Sequence, residues 1–347
     1  MKKFDFVIGN PPYQDNTLGE NESYAPPVYN QFMNESYKLA DKIELIHPAR
    51  FLFGAGGTPK EWNSKMINSE HFKVLYYEQD SSKIFANTDI MGGIAVSYYS
   101  NNEKFDPIRV FTPFTELNSI MRKVANYGTV DNMSKMFSLQ NKFNLEALYK
   151  DYPEYTKIIG SDGKDKRFRN NIFEKVSLFS ENRNGIDDVE IVGILKNKRV
   201  RRYISRKYIE KGHKTLDKWK VLIPSNNGSP ALGDKPTAII GKPIEIEPGI
   251  GYTQTFLSVG PLSNKEEAQA MCKYISTKFA RCLLGILKVT PNNPPDKWIY
   301  VPIQDFSDSS DIDWKKSIHE IDLQLYKKYK LTDEEISFIE NHVKEME

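Results

Sequence analysis

An apolar run, Phe4 to Ile8, passes directly into Gly9-Asn10-Pro11-Pro12-Tyr13, and this junction limits the fold more than any other stretch of the 347 residues. Each proline fixes its own φ, lacks an N–H and pushes the residue before it into extended backbone. A strand that reaches Asn10 therefore stops there, with Asn10 and Pro11 both held extended. The turn presents the Asn10 side-chain oxygen and the Pro11 carbonyl as stiff acceptors beyond a strand end, and the flat ring of Tyr13 follows. Two acceptors and a ring suit a planar exocyclic amine such as N6 of adenine, whose lone pair is delocalised into the base. Hydrogen bonds accepted from both N–H groups favour a pyramidal nitrogen with a localised lone pair, a case of preorganised electrostatic catalysis.

Over residues 1 to 110 short apolar strands alternate with amphipathic stretches, the pattern of βα units around a parallel sheet. Strands are predicted at Phe4 to Ile8, Lys42 to Ile46, Lys73 to Glu78 and Gly93 to Tyr99. A helix is predicted over Val28 to Ala40, with Tyr29, Phe32, Met33, Ser36 and Tyr37 recurring at helical spacing, which makes most of those aromatics core. Another should run from Pro59 to Asn68, capped by Thr58 and with proline at its first position.

On the Asn10-Pro11-Pro12-Tyr13 turn and this succession of elements, the chain resembles the N6-adenine DNA methyltransferases of the TaqI type. The resemblance implies a catalytic role for Asn10, Pro11, Pro12 and Tyr13. It also implies an α/β fold: the C-terminal half of a Rossmann-like methyltransferase sheet, followed by an α+β target-recognition domain. Enzymes that modify a base take it out of the helix and hold it between flat side chains. Tyr13 supplies one face; Phe85, in the loop after the third strand, is either the other face or a hydrophobic anchor for that loop.

The cofactor of the family is S-adenosylmethionine, and its binding motif is not found. Phe53-Gly54-Ala55-Gly56-Gly57 superficially matches Phe-x-Gly-x-Gly, but it sits several residues after the His47-Pro48 strand end. No acidic strand end follows at a suitable distance, so the segment reads as a loop at the mouth of the site. Asn184-Gly185, Gly249-Ile250-Gly251 and Gly260 lack a strand-loop-helix context. The cofactor half is expected to be missing. Either a second polypeptide completes the sheet, or the reading frame is a fragment of a longer one, because a central strand without its neighbour is an arrangement proteins avoid.

Beyond residue 110 the alternation stops. Residues 111–150 read as a helical connection and 151–347 as a DNA target-recognition and C-terminal helical region, after a partial catalytic domain at 1–110. A basic loop carries Lys164, Lys166, Arg167 and Arg169 around Phe168. From Lys196 to Lys220, Lys196, Lys198, Arg199, Arg201, Arg202, Arg206, Lys207, Lys211, Lys214, Lys218 and Lys220 face only Glu210 and Asp217, with Tyr203, Tyr208 and Trp219 interleaved. One sign of charge suits phosphate contacts on double-stranded DNA; the alternative is a solvated, salt-bridged face. Strands are predicted at Lys220 to Ser225, Ala238 to Ile240 and Thr253 to Val259, and helices over Lys265 to Leu287 and from Asp313 onward. The texture of Phe256 to Asp305 and of the closing segment resembles the recognition part of Type II restriction-modification enzymes. Pro295-Asp296 with Asp313-Trp314-Lys315 satisfies a loose nuclease pattern, but Asp313 fits a helix cap better.

Bulk composition excludes little. Forty-eight basic residues against 46 acidic give a net charge of +2, so any nucleic-acid signal lies in distribution. Cys272 and Cys282 fall in no metal-ligand spacing and predict free thiols; the five histidines are scattered, and no metal site is predicted. No apolar run reaches membrane-spanning length and no signal-peptide core follows Met1, which predicts a cytoplasmic protein without membrane contact. The leading expectation is a site-specific DNA adenine methyltransferase, incomplete as encoded. A non-catalytic DNA-binding specificity module is the alternative from another class, and methylation of RNA or protein a third.

Overall fold

The computed structural model describes residues 4–15, 25–54, 57–90, 92–126, 131–159, 166–226, 232–233, 235–288 and 291–346. Ala55, Gly56, Lys164 and part of the turn after Ser225 lie outside the described residues. The fold is mixed α/β with several sheets, and the chain divides into Met1–Asn118 and Ser119–Glu347.

The first unit contains β1 (Phe4–Gly9), α1 (Tyr29–Leu39), β2 (Ala40–Pro48), α2 (Lys60–Ile67), β3 (Phe72–Glu78) and β4 (Ile94–Ser100), each within two residues of its expected bounds. Their order in the sheet is β1-β2-β4-β3. β1 pairs parallel with β2 from Phe4↔Ala40 to Gly9↔Leu45, whereas β4 is antiparallel to both β2 and β3. Hence β1, β2 and β3 all run the same way.

Helix α1 and the chain after β2 cover one face of this sheet. Tyr29, Met33, Ile43, Leu45, Phe51, Trp62, Met66 and Phe72 form the core, with the Phe51 and Trp62 rings 4.8 Å apart. Burying each such side chain contributes roughly 2 kcal/mol. Most of the α1 aromatics are core, Tyr29 buried and Tyr37 packed against it, while Phe32 is 48% exposed, because helical spacing names a face of α1 without saying what covers it. One local expectation fails. Thr58 does not cap α2: its hydroxyl donates to Asn63 Oδ1 at 2.6 Å, and Pro59 takes the cap position. On β1 the alternate residues Phe4, Phe6 and Ile8 are 49%, 48% and 75% exposed, while Val7 packs against the core.

His47 is fully buried at the end of β2. Its Nδ1–H donates to the Pro48 carbonyl at 3.1 Å, which leaves Nε2 to accept from Ser97 Oγ at 2.8 Å. Burial pushes its pKa down to about 4 from 6.5. Above pH 6.5 the ring is neutral in both states and contributes no pH dependence. Between 6.5 and 4 the unfolded chain takes up the proton first, so stability falls as pH falls, by about 3 kcal/mol once the pH is below the folded value. Calorimetric melting across this window should show a steeper acid loss in the native chain than in His47→Gln; parallel curves would contradict the assignment.

The second unit holds, after α3 (Thr115–Asn126), which crosses the division, β5 (Phe137–Ser138), α4 (Leu145–Asp151) and two short helices, α5 (Thr156–Ile159) and α6 (Ile172–Lys175). Next come β6 (Asp188–Leu195), β7 (Lys198–Ser205), β8 (Trp219–Pro224), β9 (Ile244–Ile246), β10 (Ile250–Tyr252) and β11 (Phe256–Leu262). Helices α7 (Lys265–Ser276), α8 (Lys278–Gly285), α9 (Ile318–Lys328) and α10 (Asp333–His342) close the chain. The strands form two sheets, β10-β6-β7 and β5-β11-β8-β9.

Sequence reading missed the β6–β7 hairpin and the short strands β5, β9 and β10, placed β11 three residues early, and differs elsewhere in the second unit. Ala238 to Ile240 is irregular, with Ile239 at φ 63°, a conformation no strand accepts. The helix over Lys265 to Leu287 breaks at Thr277, whose hydroxyl accepts the Ala280 N–H at 3.1 Å and starts α8. Asp313 caps no helix; it accepts the Lys315 N–H in a local turn, and Ser317 with Glu320 forms the capping box of α9. Cys272 and Cys282 are free thiols.

Candidate functional site

Because β1, β2 and β3 are co-directional, the segments after Gly9, Pro48 and Glu78 all leave the carboxyl edge of one sheet. This edge is where open α/β sheets bind ligands. The Asn10-Pro11-Pro12-Tyr13 turn stands there, with Asn10 and Pro12 exposed and Pro11 and Tyr13 half-buried. It is tied to the approach to α1: Val28 N–H donates to the Tyr13 carbonyl at 3.2 Å, and Asp15 N–H to the Pro26 carbonyl at 2.9 Å. The Asn10 amide makes no hydrogen bond among the described residues. Burial raises the Tyr13 phenol to about 12, and its hydroxyl is buried without a partner among them.

Phe85 sits half-buried in the loop after β3. Ser81 organises that loop: its carbonyl accepts the Phe85 N–H at 2.9 Å, its hydroxyl donates to the Thr88 carbonyl at 3.0 Å, and the same oxygen accepts the Ile90 N–H at 2.8 Å. Thr88 Oγ1 donates to the Phe85 carbonyl at 2.7 Å. The loop is therefore stiff. Tyr13 and Phe85 leave the same sheet edge, but the structure does not stack their rings on one another.

Sequence reasoning overlooked how this edge is stitched. Gly92 and Gly93 adopt φ of 88° and 77°; a Cβ on Gly93 would stand 2.3 Å from the Glu78 carbonyl oxygen, and one on Gly92 2.6 Å from Arg50 Cγ. The Ala49 N–H donates to the Gly93 carbonyl at 2.9 Å. A glycine pair immediately before a strand was the available signal.

The next strand in sequence after the glycine loop, β3, ends in an acid, Glu78, at its predicted bound. The sheet order nevertheless places β4 between β2 and β3, and a 3-10 turn, Arg50–Phe53, separates β2 from Gly54. A cofactor cradle needs the glycines directly after a strand and the acidic strand beside it. S-adenosylmethionine therefore does not fit the described residues here. Among those residues there is also no His/Cys/Asp/Glu cluster suited to a metal and no helix long and apolar enough to cross a membrane.

In the basic region several of the cations pair with acids. Arg201 pairs with Glu190 and Arg206 with Asp217; Arg202 lies 2.7 Å from Glu181, Lys207 2.5 Å from Asp151 and Lys166 3.0 Å from Glu210. Lys220 is buried, with Nζ donating to the carbonyls of Leu216, Lys218 and Glu247 at 3.0 to 3.2 Å, and burial lowers its pKa to about 7. Phe168 is likewise core, 4.6 Å from the Phe143 ring. Arg167 bridges to Lys142 and is half-buried, and Arg169 is exposed. Lys196, Lys198 and Arg199 are exposed and have no carboxylate partner among the described residues.

Residues 1–85 match the family model of the Eco57I restriction-modification methylase. Over 104 residues the chain is 30% identical to an "Uncharacterized adenine-specific methylase" of Mycoplasma pneumoniae (strain ATCC 29342 / M129 / Subtype 1). That alignment covers 29% of this chain and 25% of the relative, so the chain spans about a quarter of the curated relative it matches. A solved structure of the Type IIL restriction-modification enzyme MmeI in complex with DNA aligns over 96% of this chain and 56% of that one, at 9% identity and a TM-score of 0.38, too low to argue from. Residues 1–85, which carry Asn10 to Tyr13 and Phe85, are thus similar to restriction-modification methylases, and the chain has an adenine-specific methylase among its relatives.

A hydroxyl buried without a partner destabilises the fold. Tyr13→Phe should therefore melt at the same temperature as the native chain or about 1–2 °C higher, whereas Tyr13→Ala loses packing and melts lower. A clear drop in Tyr13→Phe, read by differential scanning fluorimetry, would mean that the hydroxyl has a structural partner.

Proposed function

We propose that this chain is the catalytic and DNA-recognising part of a site-specific DNA adenine-N6 methyltransferase of the restriction-modification type. The observation that carries the reading is the Asn10-Pro11-Pro12-Tyr13 turn at the carboxyl end of β1, in a sheet of order β1-β2-β4-β3 with only β4 reversed. This is the arrangement expected of the half of a TaqI-type sheet that follows the catalytic turn. In this reading residues 1–110 form the partial catalytic domain, 111–150 a connection and 151–347 the part that engages DNA in the cytoplasm.

Asn10 Oδ1 and the Pro11 carbonyl accept the two N–H groups of the adenine amine, and Pro12 holds Pro11 extended. Tyr13 stacks on the flipped base from one side and Phe85 closes on the other. Flipping costs a few kcal/mol, which stacking offsets. S-adenosylmethionine supplies the methyl group in this family, and a segment or second polypeptide beyond the described residues holds it. Support for such a covering segment comes from Phe6 and Ile8 on β1: parallel sheets are ordinarily covered on both faces, and an apolar edge strand is ordinarily paired or protected.

A second reading, a DNA-binding specificity module that catalyses nothing, is favoured by one observation, the poor fit of the glycine loop to the cofactor. Radiolabelled methyl transfer to duplex DNA separates the two. The methyltransferase reading expects transfer once the chain is combined with the polypeptide that binds the cofactor; duplex binding without transfer in that combination favours the module. In the active combination Asn10→Ala should lower methyl transfer by about 10²- to 10³-fold and leave DNA affinity unchanged. Retained methylation would remove Asn10 from the mechanism.

A further inference from the structure

We infer that the β6–β7 hairpin is a two-stranded ribbon whose tip enters the major groove of duplex DNA, and that Lys196, Lys198 and Arg199, rather than the arginines nearer its base, make the contacts. The inference rests on the proposed DNA-modifying function and adds which element reaches the duplex.

The hairpin joins an anchored base to an exposed tip. Its strands pair in unbroken register from Asp188↔Ser205 to Leu195↔Lys198. The chain turns in two residues, Lys196 and Asn197, at φ 49° and 61°. Two consecutive left-handed residues make the turn type whose twist matches the strands, so the tip is stiff. The base is anchored. Val189, Ile191 and Ile204 lie in one buried cluster with Phe143 and Phe168, and Val192 lies in another with Tyr252 and Phe256. Gly193 marks the end of the anchored part, since a Cβ there would stand 2.4 Å from the Phe173 ring and 2.8 Å from Thr253. Ile194 and the four residues Lys196 to Arg199 are exposed.

Charge divides the hairpin at the same place. Toward the base, Arg201, Arg202, Arg206 and Lys207 are each held by a carboxylate. A phosphate there meets a charge already countered by that partner. At the tip, residues 194–200 contain three cations and no acid. The Arg199 guanidinium is steadied over the Phe256 ring, 5.6 Å from its centroid, a contact that leaves its charge intact. Asn197 at the apex adds an amide able to pair with a base edge. A B-form major groove, about 12 Å wide, admits a two-stranded ribbon, whereas the deep, narrow major groove of an RNA duplex does not.

The test uses the 347-residue chain and a fluorescent random-sequence DNA duplex, with anisotropy measured over a range of salt. The Lys196→Ala/Lys198→Ala/Arg199→Ala variant should bind at least tenfold more weakly, with a salt slope shallower by about 2 to 3. Arg201→Ala and Arg206→Ala should each change the affinity by less than about threefold, as expected for exposed paired charges. An RNA duplex of matching sequence should compete at least tenfold less well than DNA. Circular dichroism checks that the variants stay folded, which the exposure of the tip favours. If the native chain binds DNA and the tip variant matches it in affinity and slope, the inference falls and the methyltransferase reading stands. A larger loss at Arg201 or Arg206 than at the tip, or equal competition by RNA, overturns it as well. A native chain that binds no duplex overturns both.

Discussion

The parallel pairing of β1 with β2 is the constraint on which the candidate site depends. None of the β1 side chains is fully buried, so backbone hydrogen bonds to β2 and the half-buried Val7 hold the strand in place. Strand β2 in turn is fixed by Ile43, Leu45 and His47 on its covered face. A slip of one residue would carry Val7 off the core and move Asn10 along the sheet edge. The register Gly9↔Leu45 therefore sets where the two acceptors stand, and the prolines make that position rigid.

Co-direction of β1, β2 and β3 has a second effect. It gathers three loops of different origin at one edge, each stiffened by its own device: prolines after β1, a 3-10 turn after β2, and the Ser81 hydrogen bonds after β3. The reversed strand β4 enters that edge through Gly92 and Gly93, which fit only because they lack side chains. Stiff loops on a regular sheet hold reacting groups better than long mobile ones, which is what orientation-dependent chemistry requires.

Electrostatics in the second unit follow a different logic. A stretch of sequence with eleven cations and two acids looks uniformly positive, yet folding supplies Glu181, Glu190 and Asp151 from outside the stretch. Pairing converts the base of the hairpin into a locally neutral scaffold and leaves positive charge concentrated at its tip. Lys220, capping three carbonyls in the interior, is a structural cation despite belonging to the same run.

Local sequence determined the elements of the first unit and the identity of the acceptor turn, because strand alternation, helical spacing and proline geometry act over a few residues. It also named Tyr13 and Phe85, although not the distance between their rings. Tertiary structure alone decided three things. It left Phe32 uncovered, since periodicity specifies a face and not its partner. It placed β4 between two strands that are successive in sequence, a reason beyond sequence position why the glycine loop is no cofactor cradle. It also separated the neutralised arginines from the tip cations, since ion pairs join residues far apart along the chain. The hairpin itself was within reach of the sequence, in the β-branched run of β6, the Lys196-Asn197 turn and the alternation of β7. Its dense positive charge masked that pattern until the strands were seen paired.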